Sequence, residues 1–315
     1  MKLYKKIGGT EILRQYRKAG VLGYALFLTL NLGFSKRSLE ILRLAVQNKI
    51  QGKLKRNYSY VVRDFIKNYE GLPKNRSNKV WVCWLQGIED APLVVRRCYA
   101  SLHEHLTDRE IILITEDNYK DYVDFPQHIV DKYKRGIITH THFSDLLRLE
   151  LLIRHGGTWI DATVLCTGGD IPKYILNSDL FVFQILKPGR DGHSLNMSSW
   201  LMTSCTNNKI LLLTRELIYE YWKKNNSMVD YYLLHTFFNI ACETYQEEWN
   251  DIVKFCNSIP HILLLSLFED FDEERYTIIK NMTCFHKLSY KHPNEMLQKK
   301  NTYYDIVIKK GYYSS

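Results

Sequence analysis

The chain has 315 residues, 45% of them hydrophobic, with a net charge of +9 and seven cysteines. This composition supports a sizeable core and excludes a wholly disordered chain. The cysteines are odd in number, widely spaced and contain no C-x-x-C pair, which leaves neither a zinc site nor a disulfide framework and points to a reducing cytoplasm.

The charge is lopsided. Residues 1–70 carry 15 Lys/Arg against 4 Asp/Glu, whereas residues 71–315 carry 28 against 30. An anionic partner is therefore expected at the N-terminus only. Within it, residues 19–35 (AGVLGYALFLTLNLGFS) run 17 positions without a charge between Lys18 and Lys36. The run is short and glycine-diluted for a membrane span, so it reads first as a shallow membrane-surface element, with a docked helix and a true span as alternatives. Residues 38–54 place Leu39, Leu42, Ala45, Val46 and Ile50 on one side of an amphipathic helix opened by a serine cap. Residues 1–75 are accordingly expected to form a basic helical membrane-surface segment, with Lys2, Lys5, Lys6, Arg14, Arg17 and Lys18 toward anionic headgroups. No nucleic-acid reader motif accompanies it, and no nucleic-acid partner is expected.

The stretch GLPKNRSNK (residues 71–79) has linker composition, so the main domain is placed at 76–315. KVWVCWL (79–85) reads as a buried strand, 92–105 as a helix with Pro92 in its first turn, and EIILIT (110–115) as a second strand. Strand, helix and strand in this order predict a Rossmann-like α/β fold, with a mostly parallel sheet, flanking helices and ligands at the carboxyl ends of the strands. Residues 141–157 read as a helix on which Asp145 and Arg148, three apart, share a face. In the expected strand 158–166 (TWIDATVLC), alternation puts Trp159, Asp161 and Thr163 on one face. Strands at 179–185 and 199–205 and helices at 207–224 and 229–245 follow. Asp230 would sit in a first helical turn, either complementing the helix dipole or reaching a ligand, and His235 reads as a packing histidine. Asn196 and Ser198, after the PGRDG turn, are further candidates to meet a ligand.

A carboxylate on a buried strand is costly without a cation. Asp161 could meet a divalent ion that also holds phosphate oxygens, or make an ordinary ion pair with Arg148 or Arg154. The D-x-T pattern alone does not decide between them.

The block FSDLLRLELLIRHGGTWIDATV, preceded by VWVCWLQGIEDAP and followed by CFHKLSYK, resembles the capsular polysaccharide synthesis branch of the glycosyltransferases, which is similar to the glycosyltransferase 32 group and other sugar transferases with a DXD motif. The resemblance spans residues 79–291. It implies a GT-A type fold, a nucleotide-sugar donor, Mn²⁺ or Mg²⁺, and retention of anomeric configuration. On these motifs Asp161 is the DXD carboxylate, and Asp145 and Arg148 hold the donor sugar and phosphate. Trp84, Gln86 and Gly87 line the nucleotide pocket, His286 completes the metal shell and Lys287 lies near the diphosphate. Thr163 stands where the motif has its second aspartate, which shifts the burden of holding metal to Asp161 and His286.

The expected protein is therefore a bacterial hexosyltransferase using a UDP-sugar such as UDP-galactose or UDP-glucose. It would be cytoplasmic and peripheral on the inner face of the cell membrane, and would extend an undecaprenyl-diphosphate-linked capsule oligosaccharide. A protein acceptor is the alternative.

Overall fold

A computed structural model describes residues 9–185 and 196–312. Lys2, Lys5 and Lys6 lie outside the described residues. The first four helices among the described residues are α1 Gly9–Lys18, α2 Leu22–Leu32, α3 Lys36–Asn57 and α4 Ser59–Asn68. There follow β1 Lys79–Cys83, α5 Leu93–His105, β2 Glu110–Ile114, α6 Gln127–Lys134 and α7 His140–His155. Then come β3 Gly157–Ile160, β4 Val164–Cys166, β5 Leu180–Gln184 and β6 Met197–Ser204. Helices α8 Lys209–Lys224, α9 Leu233–Thr244 and α10 Glu273–Met282 precede β7 Phe285–Lys287.

The main sheet has strand order β2-β1-β3-β6-β5. Strands β2, β1 and β3 are parallel, β6 is antiparallel to β3, and β5 is antiparallel to β6. Four strands thus run one way and β6 the other, the mostly parallel α/β sheet expected from the sequence. Period-two alternation sorts its side chains into two cores. Trp81, Trp159, Val182 and Met202 enter the core shared with α7, α8 and α9, while Val80, Val82, Ile160, Phe181, Phe183 and Leu201 enter the opposite core, which also takes Val95 and Leu102 of α5.

Two expectations change. Residues 158–166 do not form one strand: β3 ends at Ile160, the chain turns through Asp161, and β4 pairs antiparallel with β7 in a separate two-stranded sheet. Nor do the described residues of the N-terminal segment, 9–75, stand apart. Leu42, Val46, Ile50 and Leu54, four residues apart along α3, join the same core as Trp81, Phe143 and Phe237. The segment after α4 is strapped to the body, because Asn75 receives a hydrogen bond from the Thr206 amide and donates to its Oγ1, both at 2.9 Å. The serine cap of α3 is Ser35, which accepts from the Ser38 amide at 3.0 Å.

The Gly156-Gly157 pair turns α7 into β3. Gly156, at φ +66°, ends the helix, and its carbonyl accepts from the Trp81 indole at 2.8 Å. Gly157, at φ +92°, lies against β1 so closely that a Cβ would fall 2.3 Å from the Lys79 carbonyl oxygen. Only glycine fits there.

Candidate active site

The carboxyl ends of β1 and β3 open into a cavity of about 330 Å³. Helix α7 sends in Asp145 and Arg148, the turn after β3 sends in Asp161 and Thr163, and β7 sends in Lys287. Thr139 caps α7, accepting from the His142 amide at 3.3 Å.

These five side chains form one network. Arg148 donates through Nη1 to Asp145 Oδ1 at 2.8 Å and through Nη2 to Asp161 Oδ1 at 3.1 Å. Its guanidinium lies over the Trp159 ring, 4.8 Å from the centroid, while the Trp159 indole donates to Asp161 Oδ1 at 2.9 Å. Lys287 Nζ donates to Asp161 Oδ2 at 3.0 Å and to Thr163 Oγ1 at 2.6 Å. Behind them, the Trp222 indole donates to His142 Nε2 at 3.0 Å. That leaves the proton on Nδ1, which faces Asp145 Oδ2 at 3.3 Å.

Burial by itself would raise both carboxyl pKa values. For Asp161 the charges of Lys287 and Arg148 outweigh burial, and for Asp145 the His142 hydrogen bond and the Arg148 charge do. Both acids are held below the usual carboxylate range and stay ionised. An ammonium has three donors and Lys287 spends two on Asp161 and Thr163, so one remains for a ligand.

Of the stretch WLQG, only Trp84 lines the cavity, set edge-on to Tyr290 with centroids 5.4 Å apart. Gln86 is exposed and outside the lining, and Gly87 makes the turn after β1 at φ +81°. Ser199 rather than Ser198 faces the cavity, since adjacent strand residues point to opposite sides. The backbone amide of Asn196 donates to Asn239, and its side chain is not in the lining. Helix α9 starts at Leu233, later than expected, so Asp230 precedes it. Asp230 accepts from the Tyr232 amide at 3.0 Å and lies in a groove with Tyr16, Arg43 and Gln47 of the N-terminal helices instead of in the cavity. Burial raises its pKa.

His286 is the largest departure. Because β7 alternates, Lys287 reaches Asp161 while His286 points to the other side, fully buried and 3.2 Å from Thr167 Oγ1. Burial pushes its pKa down to about 4. The set expected to hold Mn²⁺ or Mg²⁺ therefore does not assemble: His286 is turned away, both Asp161 oxygens accept from Arg148, Trp159 or Lys287, and the Thr163 hydroxyl faces Lys287. Among the described residues, no three His, Cys, Asp or Glu side chains are grouped as metal ligands.

Tyr231 and His235 also line the cavity. His235, read as packing, meets it with one edge, and its Nδ1 has no hydrogen-bond partner among the described residues. Their only signal in the sequence was nearness to Asp230. A larger groove of about 550 Å³ between α4 and α8 offers no comparable convergence. Its Arg215 pairs with Glu150 and Glu216, and its Glu220 with Lys223 and Lys224.

Fold and site together define an α/β protein with a polar cavity at the carboxyl edge of its sheet, lined by paired carboxylates and cations. The chain belongs to the family of capsular polysaccharide synthesis proteins, whose model matches residues 32–307. No curated protein matches the chain. Among solved structures, the PaToxG glycosyltransferase is similar at 14% identity and a TM-score of 0.37, over 66% of this chain and 84% of that one. A likeness that distant carries no argument about the reaction.

Proposed function

We propose that this protein is a GT-A type glycosyltransferase that takes a hexose from a nucleoside diphosphate sugar, a UDP-sugar in the first instance, and adds it to a lipid-linked oligosaccharide of capsule synthesis. The observation that carries this reading is the Asp145–Arg148–Asp161–Lys287 network at the strand ends, within a chain of the capsule synthesis family.

Breaking the anomeric bond leaves negative charge on the departing diphosphate and positive charge on the sugar. The free donor of Lys287 and the exposed ammonium of Lys291 take the diphosphate. Asp145, its geometry held by Arg148 and His142, accepts from donor-sugar hydroxyls. Trp84 and Tyr290, their rings nearly perpendicular, form an aromatic corner for the base or ribose. Asp145 and Asp161 are the two carboxylates of the cavity lining, and both are locked in ion pairs, which disfavours either as a covalent nucleophile. The reading that follows is same-face substitution with retention, the leaving phosphate oxygen taking the acceptor proton. Mn²⁺ or Mg²⁺, where present, would neutralise diphosphate charge, but the protein groups do not fit a shell for it and no step depends on one.

The test is a thermal-shift series with UDP-sugars, GDP-sugars and free nucleotides, each with Mn²⁺, Mg²⁺ or EDTA. Stabilisation by one sugar nucleotide names the donor, because a ligand that binds only the folded state raises its stability by mass action. A shift that persists in EDTA supports the lysine-based site, and a shift abolished by EDTA restores the metal. No shift with any nucleotide removes the reading. Product analysis with a soluble polypeptide and with a polyprenyl-diphosphate acceptor separates the two acceptor classes.

A further inference from the structure

The N-terminal hairpin of α2 and α3 exposes an unusual amount of apolar surface. Phe27 is 61% exposed, Leu30 83% and Leu26 51%, and Phe34, Ile41 and Leu44 are exposed beside them. This is not fraying. The inner stripe of α2 and its N-cap, formed by Val21, Ala25 and Thr29 at four-residue spacing, is buried. Lys53 donates to the Ala19 and Gly20 carbonyls at 3.0 and 2.7 Å, and Ser38 Oγ donates to the Leu32 carbonyl at 2.6 Å, pinning both ends of α2. The outward apolar face is therefore a fixed feature of the fold.

Its surroundings are basic. Residues 12–57 contain ten Lys/Arg and one acid, Glu40. Lys18 precedes α2, Lys36 and Arg37 follow it, and all three are exposed. Apolar side chains rimmed by cations match a bilayer surface of anionic headgroups over acyl chains. Helix α2 has 11 residues, about 16 Å of rise, against about 30 Å of hydrocarbon. No helix among the described residues is long and apolar enough to cross a membrane.

We infer that the outer face of α2 and the start of α3 insert shallowly into an anionic lipid surface, with Phe27 and Leu30 as the deepest residues. The inference deepens the lipid-acceptor reading and rests on it for the role of the surface. The same helices lead to the cavity: α1 and α3 wall a groove of about 180 Å³ with Tyr16, Arg43, Val46 and Ile50, and Tyr231 lines both that groove and the cavity. An acceptor anchored in the bilayer would thus enter beside Asp161.

The test is flotation of the full-length protein with vesicles of phosphatidylcholine, alone or mixed with phosphatidylglycerol. The wild-type protein is expected to float with the mixed vesicles. Phe27→Glu and Leu30→Glu should each lower partitioning by about ten-fold or more, the loss of one buried large apolar side chain. Lys36→Gln and Arg37→Gln should each lower it about five-fold, on mixed vesicles only. Because a charged variant can disturb folding, Phe27→Trp provides a conservative check: its emission should shift to the blue on vesicles, whereas that of Leu265→Trp, at an exposed site in the Ile262–Ser266 helix, should not. Failure of the wild-type protein to float, or an unshifted Phe27→Trp, overturns the inference. So does a wild-type dimer that Leu30→Glu dissolves, since the face would then bind a second copy. Donor turnover by a wild-type protein that does not float would sink the lipid surface alone, and flotation without any nucleotide binding would sink the enzyme reading alone.

Discussion

Lys287 Nζ lies 3.0 Å from Asp161 Oδ2 and 2.6 Å from Thr163 Oγ1, so an ammonium joins the carboxylate expected to hold a metal ion to the threonine that stands at the motif's second aspartate. If it stabilises the leaving diphosphate, Lys287→Met should lower kcat about 10²–10³-fold, the usual effect of removing one preorganised donor to developing charge. Lys287→Arg should recover part of the loss. The measurement is steady-state transfer in EDTA and in Mn²⁺, and wild-type turnover in Lys287→Met would remove the residue from the reaction.

Acid should unfold the protein through the same network. Asp145 and Asp161 have folded pKa values below their unfolded values of about 4, so their contribution is complete above about pH 5. It is lost as the pH falls through 4 toward the folded values. Asp161→Asn should flatten that part of the urea-midpoint curve and abolish transfer. A curve parallel to wild type below pH 4 would show that the ion pairs add nothing to stability.

At higher pH, two histidines set a second slope. Burial lowers His235 and His286 to about 4, against about 6.5 in the unfolded chain. The unfolded state therefore binds more protons between pH 6.5 and 4, and stability should drop as the pH falls from 6.5 to 4, by up to about 1.4 kcal/mol per unit for each histidine. His286→Leu should roughly halve the slope. An unchanged slope would mean that His286 titrates normally.

The turn into β3 offers a steric test. Gly157→Ala places a Cβ against the Lys79 carbonyl and should cost about 3 kcal/mol or more, or prevent folding. Gly169→Ala, also at positive φ (+85°) but in open space, should cost about 1–2 kcal/mol. Urea unfolding of the pair checks this, and equal costs would mean that β1 and β3 separate easily.

The first helices should prove inseparable from the body. Val46 is 1% exposed in the core shared with α9, so Val46→Asp should lower stability by about 3–5 kcal/mol. Removal of residues 1–57 should leave an insoluble chain. A folded, monomeric truncation would restore a separable N-terminal segment.

Much of this molecule was legible in local pattern. The run KVWVCWL announced β1, and the Asp145/Arg148 spacing a shared helix face. Each depends on neighbours a few residues away, so period and turn chemistry suffice. Asp161 could be singled out for the same reason, as a charge on an otherwise apolar stretch.

Long-range pairing decided the rest. Alternation says that His286 and Lys287 point opposite ways, but not which one faces Asp161. The register of β7 on β4, more than a hundred residues away, makes that choice, and a one-residue slip would reverse it. The break between β3 and β4, the entry of Tyr231 and His235 into the cavity, and the docking of α3 on the core likewise follow from partners remote in the chain. The sequence alone determined which residues could carry charge and which elements could form. Only tertiary packing determined that Asp161 would meet two cations, because that contact joins a helix, a strand end and a second sheet whose relative placement no local pattern encodes.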